Sequence, residues 1–253
     1  MVDTKLFSIN TYNKGMLSDA RKLGLGLEVE EYLWTYASKG LEEKHARVSI
    51  MIKGFSNLSF HGTAIDRDFE KIRRLSDVEL CRIYVESYGH AHFHGINKIV
   101  FHSDYIRGAT DDLSWVRQSA DFWKRFLSDK PPYIRIYIEN FIYDHPDIMA
   151  RLCDAVDDTR FGICLDTGHA CVNSKVDLTE WVQVLGKRVG HVHLHNNDGA
   201  YDRHWPLGQG VLDMYAIIEQ LRTQTNCEAY VLECDFYESL RWLCANHILG
   251  EGL

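Results

Sequence analysis

Proline is scarce in this chain, with four residues in 253, and no stretch rich in glycine, serine and proline interrupts it. No linker therefore marks a domain boundary, and residues 1–253 are expected to fold as a single domain. No apolar run approaches the ~20 residues of a membrane span. The opening residues also lack the basic and apolar regions of a signal peptide. No membrane partner is expected, and the cytoplasm is the expected compartment. The seven cysteines are odd in number and have no C-x-x-C spacing, which argues against a disulfide framework or a thiolate metal site. They read as reduced, mostly buried small hydrophobes, although Cys164 and Cys171 flank Asp166 and His169. No G-x-G-x-x-G follows the first apolar run, so nothing supports an open dinucleotide-binding sheet. Basic residues are outnumbered, for a net charge of −8, which disfavours nucleic acid as a partner held through its backbone. The densest basic cluster, Arg67, Lys71, Arg73 and Arg74, reads as the wet face of a helix.

What is present is a regular alternation. Short apolar or β-branched runs occur at Leu6–Ile9, Leu25–Glu30, Leu58–His61, Lys98–His102, Arg135–Glu139, Gly162–Asp166, Gly190–His195 and Tyr230–Glu233. Helix-permissive stretches separate them. Residues 111–127 place Leu113, Val116, Ala120 and Trp123 or Phe126 on one stripe, and residues 211–221 do the same with Val211, Met214, Tyr215, Ile218 and Leu221. Asp144 is expected to cap the helix after the fifth run, with Pro146 in its first turn. Gly24 reads as a helix stop. Eight strands with crossovers in about 250 residues is the arithmetic of a closed (β/α)8 TIM barrel.

Titratable residues fall at or just beyond the ends of these runs: His61, His102, Glu139, Asp166, His169, His193, Asp202, His204 and Glu233. In a barrel, strand C-termini form one open face, so these groups would converge there as divalent-metal ligands. Asp166 and His169 lie three apart, and Gly168 between them is expected to let the chain turn sharply. His191, His193 and His195 have period-two spacing and share one strand face. His193 is the preferred ligand, His195 a substrate contact or a supporting group, and His191 a deeper residue. Asp202 and His204 sit in a loop bounded by turn residues, Asn196 to Gly199 on one side and Gly208 to Gly210 on the other.

These motifs, in this order, resemble the xylose isomerase-like barrels, a superfamily that includes endonuclease IV and many sugar isomerases and epimerases. The resemblance rests on His61, His102, Glu139 followed by Asn140, the D-T-x-H run Asp166 to His169, His193, the D-x-H of Asp202 and His204 before Leu207, Gly208, Gln209 and Gly210, and Glu233. It implies three neighbouring metal positions. One would use His61, His102 and Glu139, a second Glu139, Asp166, His193 and Glu233, and a third His169, Asp202 and His204. Gln209 departs from the glutamate often found there, and the chain looks short of the basic, aromatic-interleaved loops with which endonuclease IV holds DNA.

Two enzymatic readings follow. The preferred one is a metal-dependent isomerase or epimerase of a small sugar or sugar phosphate, working through an enediolate. The resemblance makes Glu139 and Glu233 its acid/base pair, and His195 completes the catalytic set. The alternative is an endonuclease IV-like phosphoester hydrolase with two or three metals. Ligand number favours the second; small size and acidic charge favour the first. A binding module that uses its metals structurally is the remaining class. Zinc or manganese, two or three ions per chain, is the expected cofactor. Arg203, Arg107 and Lys175, following strands seven, four and six, are the expected substrate contacts. Assembly into a homo-oligomer is left open.

Overall fold

The computed structural model describes residues 3–34, 40–64, 77–105 and 111–249. Eight parallel strands pair in sequence order, and β8 closes on β1. They are β1 Phe7–Asn10, β2 Gly26–Val29, β3 Leu58–His61, β4 Lys98–His102, β5 Arg135–Glu139, β6 Phe161–Asp166, β7 Val189–Leu194 and β8 Tyr230–Leu232. Among the described residues the α-helices are α1 Leu17–Lys22, α2 Leu41–Met51, α3 Asp77–Phe93, α4 Asp112–Leu127, α5 Asp147–Val156, α6 Thr167–Asn173, α7 Leu178–Leu185, α8 Met214–Gln224 and α9 Phe236–Ala245. All eight expected runs are strands, their ends displaced by at most one residue. The protein is a (β/α)8 barrel. No described helix is long and apolar enough to cross a membrane. The basic cluster at Arg67, Lys71, Arg73 and Arg74, and also Arg107, lie outside the described residues.

Strand alternation sorts the side chains into two unlike layers. Ile9, Leu27, Phe60, Phe101, Ile138, Leu165, Val192 and Leu232 belong to one continuous apolar core with the helices. Inside the barrel, among the described residues, Val100, Tyr137 and Cys164 form a small apolar patch. Most of the other inward positions carry Ser8, Glu28, Ser59, Glu139, Asp166, His191 and His193, all essentially inaccessible to water. A buried Leu, Ile or Phe contributes roughly 1.5–3 kcal/mol, so the helix–sheet seam stabilises the fold. The interior is left free for polar chemistry.

Helix ends correct three expectations. Asp111 caps α4, its side chain accepting from Ser114 N at 3.0 Å, but Leu113 is exposed and the buried stripe runs through Trp115, Val116, Ser119, Ala120 and Trp123. Asp213 caps α8 and fixes its start at Met214, which leaves Val211 in the preceding loop and turns Tyr215 outward. The inward stripe is Met214, Ile217, Ile218 and Leu221. Asp144 does not cap α5; Pro146 takes the cap position, and Asp144 pairs with Lys175 Nζ at 2.7 Å. Gly24 does end α1, with φ +73° in the left-handed region that glycine enters without a Cβ penalty.

Candidate metal centre

Register brings the strand-end groups together. His102 is directly opposite Glu139 on β4–β5, and Asp166 is opposite His193 on β6–β7. Glu139 is the hub. Its Oε2 lies 3.0 Å from His61 Nε2 and 2.9 Å from His102 Nε2. Its Oε1 lies 3.1 Å from His169 Nδ1 and 3.4 Å from His193 Nδ1. Around His193 Nδ1 stand three carboxylates, with Glu233 Oε1 at 3.3 Å and Asp166 Oδ2 at 3.7 Å beside Glu139. Asp202 Oδ2 is 3.5 Å from His169 Nε2 and 3.2 Å from His204 Nε2. All nine strand-end residues therefore join one continuous cluster.

Backbone carbonyls orient three of the imidazoles. His61 donates from Nδ1 to Gly62 O at 3.0 Å, His169 to Asn140 O at 3.0 Å, and His204 to Glu233 O at 2.8 Å. A carbonyl can only accept, so each ring gives its Nδ1 proton to the backbone and turns Nε2 toward a carboxylate, the nitrogen a metal would take in exchange for its proton. The loop carrying Asp202 and His204 is pinned by the paired backbone of Asn196 and Trp205 and by Asn197 Nδ2 donating to Gly168 O at 3.1 Å. His204 itself holds φ +50°, an uncommon conformation for a non-glycine residue, and its ring stacks on His195 at 4.0 Å.

The field in the cluster is set by its carboxylates. Burial alone would raise the Glu139 carboxyl, but the charges of His102 and His193 outweigh it and hold the group well below the usual range. Burial would lower His204; its bond to Asp202 and the charge of Glu233 instead raise it to about 9. His169 and His193 are likewise held well above the ordinary histidine value against the effect of burial, chiefly by Asp166 for the first and by Cys164 and Glu233 for the second. An anionic enclosure of this kind favours cations.

The residues fit metal ions on an independent observation. His193 Nδ1 is fully buried and has no hydrogen-bond partner, although three carboxylate oxygens surround it. A buried polar atom left this way costs about 1–3 kcal/mol unless a further group satisfies it. Imidazole nitrogen and carboxylate oxygen are the donors zinc and manganese take. Groups such as His61, Glu139 and His193, Glu139, Asp166 and His169, or His195, His204 and Glu233 bring ligand atoms within 4.8 Å of one another. These are the clusters of a metal-dependent enzyme.

His195 is fully buried and absent from the cavity wall; its Nε2 donates to Asp166 at 3.0 Å, the supporting arrangement that was one of its two expected roles. Several other residues sit differently from expectation. Gly168 does not make a sharp left-handed turn. It lies in the first turn of α6, and a Cβ there would overlap the His195 ring. Arg203 pairs with Asp198 at 3.0 Å and lies over the Tyr201 ring, and Lys175 pairs with Asp144. Neither lines the cavity; each is drawn to an acidic partner, Arg203 within its own loop and Lys175 across to the loop after β5. Cys164 and Cys171 do not line it either, whereas Cys234 does.

Two carboxylates went unrecognised in the sequence. Glu28 on β2 and Glu30, one residue beyond its end, alternate with Leu27 and Val29 and are buried. That period-two pattern was the available signal. Glu28 reaches His191 Nε2 at 2.8 Å and His193 Nε2 at 2.9 Å. Glu30 lines the cavity, and burial, with Glu233 and Glu28 nearby, raises its carboxyl well above the usual value.

The cavity above the cluster has a volume of about 710 Å³. His61, His102, Glu139, His169, Asp202, His204 and Glu233 form its floor; Tyr12, Trp34 and Phe141 form aromatic walls. No lysine or arginine among the described residues lines it. Residues 52–245 match the family described as "Xylose isomerase-like TIM barrel". The chain belongs to this family.

Within the xylose isomerase-like barrels, the similar solved structures include a Thermus thermophilus protein studied after soaking with zinc chloride. It is 25% identical, with a TM-score of 0.70 over 97% of this chain and 99% of that one. A D-tagatose 3-epimerase-like protein is 18% identical, with a TM-score of 0.64 over 93% of each chain, a likeness of fold alone. A probable endonuclease 4 of Mycobacterium leprae is 25% identical over 140 residues, 51% of this chain and 54% of its own. The chain thus spans about half or less of the curated relatives it matches. Hydrolase and epimerase relatives share this barrel.

The contact at Gly168 gives a stability expectation. Gly168→Ala should cost about 1–3 kcal/mol, the range for forcing an atom into a packed site, and urea denaturation measures it. An unchanged midpoint would show that the His195 ring yields freely.

Proposed function

We propose that the protein is a metal-dependent phosphoester hydrolase of the endonuclease IV-like type, holding three divalent ions, with zinc the first choice. The observation that carries this reading is the third ligand group, His169, Asp202 and His204, joined to the other two through the contact of His169 with Glu139. Isomerisation, the reading preferred from sequence, needs one ion between Glu139 and Glu233 and leaves that third group without a task. The endonuclease 4 relatives support the same choice.

In this reading His61, His102 and Glu139 would hold one ion, Glu139, Asp166, His193 and Glu233 a second, and His169, Asp202 and His204 a third. When bound, the ions neutralise phosphoryl oxygens and lower the pKa of water. The chain's own residues do the rest. Glu139 belongs to the first two ligand groups, its Oε2 beside His61 and His102 and its Oε1 beside His193, and would serve both. His195 holds Asp166 in place from behind. Glu233, on the cavity floor, would accept the proton released by an attacking water. Tyr12, Trp34 and Phe141 offer flat apolar surface to the uncharged part of the ester. Arg203 and Lys175, expected to neutralise a phosphate, are instead paired with Asp198 and Asp144.

The test compares zinc-loaded protein on simple phosphodiesters, phosphomonoesters and abasic-site DNA with a panel of ketoses and ketose phosphates in deuterated water. Ester cleavage is the expected result. His169→Ala and His204→Ala should each remove one ion of three by elemental analysis and lower cleavage at least tenfold, in keeping with the loss of a metal ligand. Deuterium exchange beside a carbonyl with no ester cleavage would return the assignment to an isomerase or epimerase.

A further inference from the structure

Four histidines of the cluster present a nitrogen to Glu139 or Asp202 whose tautomer or direction can be traced, and one is held unlike the rest. His61, His169 and His204 are each fixed by a backbone carbonyl on Nδ1. His193, like His169, turns Nδ1 toward Glu139, but no carbonyl fixes either of its nitrogens. On its other side stands Glu28, whose Oε1 is 2.9 Å from His193 Nε2, off the hydrogen-bonding direction but within ion-pair reach. The other oxygen, Oε2, makes a 2.8 Å hydrogen bond with His191 Nε2. All three side chains are fully buried.

We infer that Glu28 is a positioning residue for the metal centre: its carboxylate, shared between His191 and His193, keeps the His193 proton on Nε2 and turns Nδ1 toward Glu139, Asp166 and Glu233. The inference rests on the three-ion reading above. Its physical basis is the carboxylate's chemistry. An ionised carboxylate only accepts, so it can take an N–H from each ring at once. His191 anchors one oxygen and thereby aims the other. A carboxylate behind a metal-bound imidazole fixes the ring and increases its basicity, and losing such a partner typically weakens metal binding 10–100-fold. The placement also gives His191, which reaches no carboxylate of the cavity floor, a definite role.

Glu28→Gln tests it, because the amide has nearly the same shape but offers one acceptor and one donor. It can serve one ring's N–H and must oppose the other's, so His193 turns or moves its proton to Nδ1. Zinc is withdrawn from metal-replete protein with a chromophoric chelator, and the ions are counted as they leave. Wild type should release three. In Glu28→Gln one ion should leave at a 10–100-fold lower chelator concentration while the other two stay within about threefold of wild type. His191→Gln, which keeps the His193 contact, should move that ion less than Glu28→Gln does. Equal zinc affinity in wild type and folded Glu28→Gln would overturn the inference and leave the three-ion reading standing. Wild type that binds no zinc would overturn both. Uniform weakening of all three ions would also overturn it, as the mark of a general packing role. If Glu28→Gln does not fold, Glu28→Asp carries the same measurement: the charge stays but draws back by one methylene, and unchanged affinity for all three ions rejects the positioning role.

Discussion

Glu139→Gln is expected to release two of three ions and to lower ester cleavage by roughly a thousandfold, the equivalent of about 4 kcal/mol at the transition state. Glu139 is the only carboxylate among the nine that meets four imidazoles, with His61 and His102 on one oxygen and His169 and His193 on the other. An amide retains one weak acceptor and loses the charge that both ligand groups would share. Elemental analysis and initial rates on the same preparation measure the two effects together. Cleavage within tenfold of wild type, with three ions still bound, would remove Glu139 from the centre of the site. Because the side chain is fully buried and its neighbours are themselves ionisable, a melting curve should accompany the rates.

Stripping the metals should have the largest effect on stability. Without cations, Glu30, Glu139, Asp166, Asp202 and Glu233 crowd a space that burial makes poorly screened. Histidines hold Glu139 and Asp202 low, but the Glu30 carboxyl is pushed up by burial first and then by Glu233 and Glu28, a carboxylate contact that a cation would relieve. A ligand present at a thousand times its dissociation constant stabilises the folded state by about 4 kcal/mol per site. For a chain of this size each kcal/mol shifts the melting temperature by roughly 2–4 °C. Even one tight ion should therefore raise it by about 8–16 °C, and three by more. Calorimetry before and after exhaustive chelation, with zinc added back, measures the shift. A melting temperature insensitive to both treatments would mean that the folded chain gains nothing from cations, and the metal reading would fall.

The sequence by itself determined the barrel and the identity of the nine clustered groups, because both follow from local regularities. Strand runs such as Arg135–Glu139 carry period-two hydrophobicity, their number sets the closure, and a residue at a strand's end must emerge on the common face. What lies behind those groups was decided only by tertiary structure. Glu28 meets His191 across 163 residues of chain, a contact no local pattern encodes. His195 and His193 share a strand face, yet Asp166 and the close approach of Gly168 draw the first behind the wall. Arg203 and Lys175 read as free cations near the mouth until Asp198 and Asp144 are found beside them. Residue type and strand position follow from sequence order. The choice of imidazole nitrogen and the partner of each charge depend on distances of about 3 Å between remote segments, which only the closed barrel sets.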